Sequence, residues 1–310
     1  MIDFTHMPTR KKTYAGANGS KISVMYNGIQ YMVKFPALPT KNKELSYANG
    51  CVSEYIGCHI FESVGITVQE TLLGTYTKNG KEKIVVACRD FTSHGITLQD
   101  FASLKNTIID SEHNGYGTEL NDIMRAIEEQ QAVDPYMLKE WFWDTFIVDA
   151  LIGNWDRHNG NWGFLYDSEA DTMTIAPVFD CGSCLYPQAD TMIMQCTLDD
   201  PNERNLRIYN IPLSGIKMND KKINYFDFIS SLENEDCNAA LKRIHPRIDM
   251  EKITDIVNQT PYISELQKKF YITMLKERKE RILDHSLALL KKREKAQSVK
   301  KTKKKNEIER

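Results

Sequence analysis

Alternating apolar and polar positions predict that the first part of the chain is rich in β-strands. Residues 21–26 and residues 30–35 alternate on either side of Asn27-Gly28, a dipeptide typical of two-residue hairpin turns. Up to residue 95, further patterns predict one helix and two strands, at residues 46–64, 69–76 and 83–88. The segment is therefore predicted to be a small sheet with one helix.

Helical periodicity dominates after residue 95. The helix predicted at residues 135–152 is nearly continuous in aromatic and aliphatic residues, so we expect it to be buried. Residues 200–235 have weak periodicity and are predicted to be loops with short helices. The other predicted helices lie at residues 98–111, 120–130, 236–243, 249–258 and 264–292.

Two acids and an amide, Asp156, Asn161 and Asp180, have the most informative spacing in the chain. Apolar and β-branched residues at 162–166 and 172–179 predict a β-hairpin between Asn161 and Asp180. In an antiparallel register, the residue that faces Asn161 falls at or just before Asp180. The open end of the hairpin is therefore expected to hold these two residues side by side.

This arrangement predicts metal-assisted phosphoryl transfer. One carboxylate and the amide make a sparse oxygen site that suits Mg²⁺, which keeps several waters and takes other ligands from phosphates. The second carboxylate is then available to accept a proton from an attacking hydroxyl. The alternative is a polar loop that caps local turns. The predicted hairpin and the uninterrupted Asp-Arg-His-x-x-Asn pattern favour the metal site.

Lys34 lies inside an apolar predicted strand, and two explanations fit its position. It is either an edge-strand lysine that extends its ammonium to solvent or a lysine that contacts nucleotide phosphates. The second explanation requires an acidic partner. Glu54 is the only acid between Tyr47 and Phe61 on the predicted helix, and it is the candidate.

Two other segments are weaker candidates for nucleotide contacts. A glycine-containing segment opens the first hairpin, where backbone N–H groups can approach phosphates, although a plain turn is the alternative. It consists of Gly16, Ala17, Asn18, Gly19, Ser20 and Lys21. The strand that ends at Ala87, Cys88 and Arg89 enters the connection to the helical part, where its backbone could bond an adenine edge.

Composition and charge predict where the protein is located and distinguish a basic segment at the end of the chain. The chain has 310 residues, of which 41% are hydrophobic, and it has neither a signal peptide nor an apolar stretch of about twenty residues. Its seven Cys form no paired metal-ligand array, so we expect reduced thiols in the cytoplasm. Residues 291–310 contain ten Lys or Arg and three Glu in a chain of net charge −2. This tail is predicted to extend the last helix. The alternative is that it binds nucleic acid, acidic lipid or a nuclear-import receptor, and export to a host cell or nuclear targeting also stays open.

Four features together carry a family resemblance: Ala15-Gly16-Ala17-Asn18, Lys34, Asp156-x-His158-x-x-Asn161 and Phe179-Asp180-x-Gly182. With them, the chain resembles the HipA-like serine/threonine kinases, and especially the CtkA-type stand-alone subfamily, to about residue 290. The resemblance implies an α+β, two-lobed, protein-kinase-like fold. The expected parts are a small β-rich N-lobe at residues 1–95, a larger helical C-lobe at 96–290 and the basic tail at 291–310.

The resemblance also implies the cofactors ATP and Mg²⁺, a protein substrate with a Ser or Thr hydroxyl, and autophosphorylation. The implied roles are Asp156 as base, Asn161 and Asp180 as metal ligands, Lys34 on the phosphates, residues 16–21 over the nucleotide and residues 87–89 near adenine. His158, beside the base, either touches phosphate or braces the loop. Thr13 is the first candidate for autophosphorylation, with Ser20 as competitor.

Two other functions remain open from the sequence. The Asp-Arg-His-x-x-Asn pattern is also close to the catalytic loop of phosphoinositide kinases, so a lipid or small-molecule kinase is one alternative. A pseudokinase or binding scaffold is the other, although no catalytic position has been lost. The chain departs from ordinary protein kinases because no Ala-Pro-Glu segment follows Asp180.

Overall fold

The computed structural model describes residues 2–14, 20–36, 49–92, 95–109 and 115–308, with side chains described up to residue 299. The first part of the chain contributes the strands β1 (Ile2–Asp3), β2 (Thr9–Arg10), β3 (Lys21–Tyr26), β4 (Ile29–Lys34), β5 (Thr71–Lys78) and β6 (Lys81–Arg89). They form one six-stranded sheet in the order β1-β5-β6-β4-β3-β2. Strands β1 and β5 are parallel, and the other neighbours are antiparallel.

The hairpin predicted around Asn27-Gly28 is confirmed. Both turn residues have left-handed backbone angles, with φ of +50° and +77°, as a two-residue hairpin turn requires. The turn fixes a register in which Lys21 lies opposite Lys34. Lys34 is therefore the last residue of β4, a strand that lies between β3 and β6.

Helix α1 (Gly50–Ser63) packs on β5 and β6. Its predicted start at residues 46–48 lies outside the described residues. The buried face of α1 is apolar except for small polar groups and one acid, Glu54. A buried carboxylate is costly unless it is paired, so Glu54 requires a cationic partner.

A second sheet contains β7 (Ile96–Asp100), β8 (Gly163–Asp167) and β9 (Thr172–Ile175), all antiparallel. The prediction of a helix over residues 98–111 is wrong at its start, because residues 96–100 pair with β8. Helix α2 (Phe101–Ile108) begins after Asp100, whose carboxylate accepts a hydrogen bond from the Ser103 backbone N–H at 2.7 Å.

Helices α3 (Leu120–Glu129) and α4 (Pro135–Ile152) follow, and α4 is the buried helix that the sequence predicts. Asp134 caps the start of α4, and Gly153 ends it with φ of +65°. The helices that complete the helical part are α5 (Thr191–Asp199), α6 (Pro201–Tyr209), α7 (Tyr225–Ser231), α8 (Glu235–Ile244), α9 (Met250–Gln259), α10 (Glu265–Arg278) and α11 (His285–Ile308). Between them lie a two-stranded hairpin of β10 (Lys217–Met218) and β11 (Lys221–Lys222), a 3₁₀ turn at His245–Arg247 and a π-helical turn at Lys279–Asp284.

The apolar core has two parts. A small cluster around Phe4, Val24 and Val33 lies within the six-stranded sheet. A large cluster joins α4 and the later helices, and it also includes Ile56 and Phe61 of α1. Helix α1 therefore packs with the helical part as well as with the sheet. The boundaries at residues 95 and 290 stay predictions.

The helical run predicted at residues 264–292 is confirmed and continues to Ile308. The start of the tail is bound to the helical part, since Arg293 donates to the Leu232 carbonyl at 2.7 Å and pairs with Glu235 at 3.0 Å. Within the described ranges, no helix is both long and apolar enough to cross a lipid bilayer.

Trp143 offers a test of the α4 core. Its side chain is 1% exposed, and its ring stacks on Phe228 with 5.8 Å between centroids. We expect Trp143→Ala to lower the free energy of unfolding by about 3–5 kcal/mol in urea denaturation, because a large cavity remains. Met137 of the same helix is 62% exposed. Met137→Ala should change stability by less than about 0.5 kcal/mol, and equal effects of the two variants would contradict this packing.

Candidate active site

Three charged side chains from distant parts of the chain meet at the end of β4. The Lys34 ammonium lies 3.1 Å from Glu54 Oε2 and 3.0 Å from Asp180 Oδ1. The side chains of Lys34 and Glu54 are 14% and 2% exposed, whereas that of Asp180 is 43% exposed. The explanation of Lys34 as a solvent-reaching edge lysine is therefore wrong, and its predicted pairing with Glu54 is confirmed.

Lys34 and Asp180 hold each other in the charged state. Burial alone would lower the pKa of Lys34, but the carboxylates of Asp180 and Glu54 outweigh it and raise the pKa well above its ordinary value. The Lys34 ammonium in turn lowers the pKa of Asp180. Burial, together with the like charge of Lys34, lowers the pKa of the neighbouring Lys21.

Asp180 has an unusual backbone conformation. Its φ of +58° lies in the left-handed region, which non-glycine residues seldom adopt and which Asp and Asn tolerate best. Two residues later, a Cβ added at Gly182 would lie 3.1 Å from Glu54 Oε2. Glycine at position 182 therefore leaves room for the carboxylate that pairs with Lys34.

The predicted hairpin is present, but its ladder ends before it reaches Asn161. Phe164 lies opposite Ile175, and the Ala176 N–H donates to the Gly163 carbonyl at 2.9 Å. The chain then leaves the hairpin, and Val178 pairs in parallel with Val68, which follows α1 in sequence. The prediction that hairpin pairing places Asn161 beside Asp180 is therefore wrong, because the pairing stops before it reaches either residue.

A buried arginine joins the two segments. Arg157 Nη1 donates to the Asn161 carbonyl at 3.2 Å and to the Phe179 carbonyl at 2.6 Å. Its other nitrogens form a two-bond pair with the Asp149 carboxylate, at 3.0 and 3.1 Å. Burial would lower the pKa of Arg157, but Asp149 outweighs it, and the pKa lies well above its ordinary value.

The sequence patterns indicated no role for Arg157 or Asp149. A signal was available, because Asp149 is an acid within the otherwise apolar end of α4. Such an acid needs a partner in the core. The sequence did not show which cation would supply it.

The loop at residues 154–161 is held by hydrogen bonds within itself. The Asp156 carbonyl accepts hydrogen bonds from the His158 N–H at 2.9 Å and from Asn161 Nδ2 at 2.8 Å. The Asp156 N–H donates to Asn154 Oδ1 at 3.2 Å. Burial raises the pKa of the Asp156 carboxyl, and Asp180 adds to the rise, while the charges of His158 and Lys222 oppose it.

Asn161 and Asp180 fit a magnesium site. Asn161 Nδ2 donates to the Asp156 carbonyl. The oxygen of the same amide, Oδ1, is therefore left to act as a metal ligand. Asp180 has a second carboxylate oxygen besides the one that pairs with Lys34. No cluster of three or more His, Cys, Asp or Glu that could hold a metal occurs in the described part of the chain. Two protein oxygens completed by water and phosphate are a coordination that Mg²⁺ accepts.

His158 has a visible contact with its own loop. Its Nδ1 accepts a hydrogen bond from the Gly160 N–H at 3.0 Å, and its carbonyl accepts one from the Asn161 N–H at 2.9 Å. An imidazole that accepts at Nδ1 carries its proton on Nε2 when neutral. The bracing role is therefore observed, and a catalytic role for His158 stays a prediction.

Only part of the predicted nucleotide-binding segment at residues 16–21 lies within the described residues. Gly16, Ala17, Asn18 and Gly19 lie outside the described residues, whereas Ser20 is exposed and Lys21 is partly buried.

The predicted adenine contact at residues 87–89 requires a correction. Ala87 and Cys88 are buried and paired with strands on both sides, and the Arg89 N–H donates to the Glu70 carbonyl at 2.8 Å. Their backbone groups are therefore used within the sheet and do not offer an adenine edge. A position near the adenine is untested.

Comparison with known proteins places this site in a family. The family model of the HipA-like C-terminal domain matches residues 10–260. The chain belongs to the HipA-like family. The resemblance predicted from the motifs is therefore confirmed.

Individual relatives agree with this assignment. The chain is 56% identical to the serine/threonine-protein kinase CtkA of Helicobacter pylori (strain J99 / ATCC 700824), over 91% of this chain and 86% of the relative. A crystal structure of a Helicobacter pylori proinflammatory kinase CtkA matches with a TM-score of 0.87 and 56% identity, covering 93% of this chain and 96% of that one.

A more distant structure shares the fold alone. HipA in the toxin–antitoxin complex of Shewanella oneidensis MR-1 with HipB and operator DNA has a TM-score of 0.56 and 16% identity, covering 90% of this chain and 68% of that chain. The predicted two-part kinase-like fold, with a β-rich and a helical part, is thus confirmed.

The raised pKa of Asp156 predicts that this residue costs stability at neutral pH. Its folded-state pKa lies above the unfolded-state value, so the ionised form is less favourable in the folded protein. We expect Asp156→Asn to raise the melting temperature near neutral pH, and this difference should shrink as pH falls through the Asp156 pKa. Thermal unfolding between about pH 7 and about pH 4 tests this.

The exposed Asp255 of α9 provides the control. Asp255→Asn should leave the melting temperature unchanged across the same pH range. A lower melting temperature for Asp156→Asn at neutral pH would contradict the electrostatic assignment.

Proposed function

We propose that this protein is an ATP- and Mg²⁺-dependent serine/threonine protein kinase that transfers the γ-phosphate to a protein hydroxyl. The observation that carries the proposal is the contact of Lys34 with both Glu54 and Asp180, at 3.1 and 3.0 Å. It aims an ammonium at the place where phosphates and a metal would lie. The name of the 56% identical relative supports a serine/threonine specificity.

In this proposal Lys34 holds the nucleotide phosphates, and Glu54 keeps the ammonium in position. Asn161 and Asp180 hold Mg²⁺, which supplies neutralisation of the negative charge on the phosphates when it is bound. Residues 16–21 cover the nucleotide. For the adenine, the backbone pairing of residues 87–89 favours the segment after β6, where the Phe91 ring lies 5.8 Å from Phe179.

Asp156 acts as the base. It orients the acceptor hydroxyl and takes its proton as the oxygen attacks the γ-phosphorus. The raised pKa of Asp156 makes the carboxylate a better proton acceptor than an exposed Asp. His158 contributes by bracing the loop that carries Asp156, because its Nδ1 accepts a hydrogen bond from the Gly160 N–H.

The finer predictions about location and tail partners stay predictions. Helix α11 continues through the basic segment to Ile308. No observation favours nucleic acid, acidic lipid or an import receptor as its partner, and the predicted cytoplasmic location is likewise untested.

Asp156→Asn and Asp180→Asn separate the two proposed roles. We expect each variant to abolish transfer of ³²P from ATP to protein, because one lacks the base and the other a metal ligand. Asp156→Asn should still bind Mg·ATP in a thermal-shift assay, whereas Asp180→Asn should bind it more weakly. Asp171→Asn, at an exposed turn, is the matched control and should retain activity. Full ³²P incorporation by either site variant would disprove the assignment.

Autophosphorylation gives a further test. Thr13, just before the predicted nucleotide loop, and Ser20, within it, are both exposed. We expect mass spectrometry after incubation with Mg·ATP to find phosphate on one of them, and the corresponding alanine variant to lose it. Asp156→Asn should carry none. Phosphate on other residues only would eliminate both candidates.

A further inference from the structure

A small basic hairpin stands next to the catalytic loop. It consists of β10, β11 and the turn Asn219-Asp220, whose residues have φ of +54° and +61°, as a two-residue hairpin turn requires. The cross-strand pairs are Lys217 with Lys222 and Met218 with Lys221. Cross-strand partners share a face of a hairpin, so Lys217 and Lys222 lie on one face, and Lys221 lies on the other.

The face with Lys222 contacts the residue that precedes the proposed base. The Lys222 ammonium lies 5.9 Å from the centroid of the Trp155 ring, and Trp155 directly precedes Asp156. The Lys222 ammonium therefore lies beside the side chain that directly precedes the proposed base.

The hairpin is fixed in this position from two sides. On one side, a Cβ added at Gly215 would lie 3.1 Å from the Arg157 backbone nitrogen, so the two backbones are in close contact. On the other side, the Glu119 carboxylate accepts hydrogen bonds from the Asn219 and Asp220 N–H groups, at 3.1 and 2.7 Å. Contacts on both sides therefore fix the position of the hairpin relative to the loop that carries Asp156.

Lys222 is available to a ligand. Its side chain is exposed, and no salt bridge joins it to a carboxylate among the residues that the structure describes. Its contact with Trp155 keeps the ammonium beside a flat aromatic surface. Such a pair can bind the backbone and an acidic side chain of an extended peptide.

We propose that the Lys217–Lys222 face of this hairpin docks the protein substrate and selects Ser or Thr residues that have Asp or Glu nearby in sequence. The inference rests on the proposed kinase function. A hydroxyl placed at Asp156 brings its neighbours in the peptide close to Trp155 and Lys222, because an extended chain advances only about 3.3 Å per residue. Acidic neighbours gain attraction there, and basic neighbours meet repulsion.

The test uses three versions of one serine peptide, flanked by Asp, by Ala or by Lys. Steady-state kinetics with the full-length protein give kcat/KM for each peptide. For the unmodified protein, we expect the Asp peptide to exceed the Ala peptide and the Lys peptide to fall below it. Lys222→Glu should reduce the Asp-to-Lys preference roughly tenfold or invert it, as reversal of one exposed charge allows.

Lys221→Glu is the matched control, because it reverses an equal charge on the opposite face of the same hairpin. It should leave the preference unchanged. The ratio between peptides isolates docking from the effect of Lys222 on Asp156, since that effect changes the rates with all three peptides equally.

Four outcomes are informative. Inversion with Lys222→Glu alone supports the docking surface. An active protein that does not discriminate between the peptides overturns it while leaving the kinase function intact. An equal loss with all three peptides assigns Lys222 to the reaction centre instead. Label in phosphoinositide vesicles and in none of the peptides contradicts both the docking surface and the proposed protein-kinase function.

Discussion

The buried pair of Asp149 and Arg157 is the interaction on which the rest of the site depends. An unpaired guanidinium in the core would be strongly destabilising, and removal of one partner from a buried pair typically costs about 3–5 kcal/mol. Here the arginine also donates to the Asn161 and Phe179 carbonyls. One side chain thus satisfies a buried acid and fixes the two segments that carry the proposed metal ligands.

This pair also explains the order of the chain around the site. Helix α4 ends at Gly153, and the loop that follows turns back so that Arg157 can reach Asp149 one turn before the helix end. The Tyr225 hydroxyl donates to the Asn154 carbonyl at 2.6 Å and supports the same turn. The loop therefore derives its shape from the helical core, and Asp156 is held partly buried between Asn154 and Arg157, which are both anchored to that core.

The sequence indicates which residues form the site better than it indicates the contacts that hold them in place. Lys34 and Glu54 could be paired because a lysine in an apolar strand and one acid on an apolar helix leave little choice. The strand at residues 96–100 could not be found, because its partner is distant in sequence and its composition also fits a helix start. Likewise, Arg157 lies among polar residues, and only the tertiary structure shows that it is buried. The hairpin at residues 217–222 is too short for periodicity to indicate.

The position of Lys34 between two carboxylates has a consequence for binding. Asp180 has two tasks, since the same carboxylate pairs with Lys34 and is the proposed metal ligand. A divalent cation held by the second oxygen of Asp180 would offset part of that carboxylate's charge, and Lys34 would then lose part of the attraction that keeps its pKa high. Glu54, almost fully buried beside it, remains as its partner. An acid at position 54 therefore keeps the ammonium charged and in place with or without the cation, and a neutral amide there would leave Asp180 as the only carboxylate that pairs with Lys34 among the described residues.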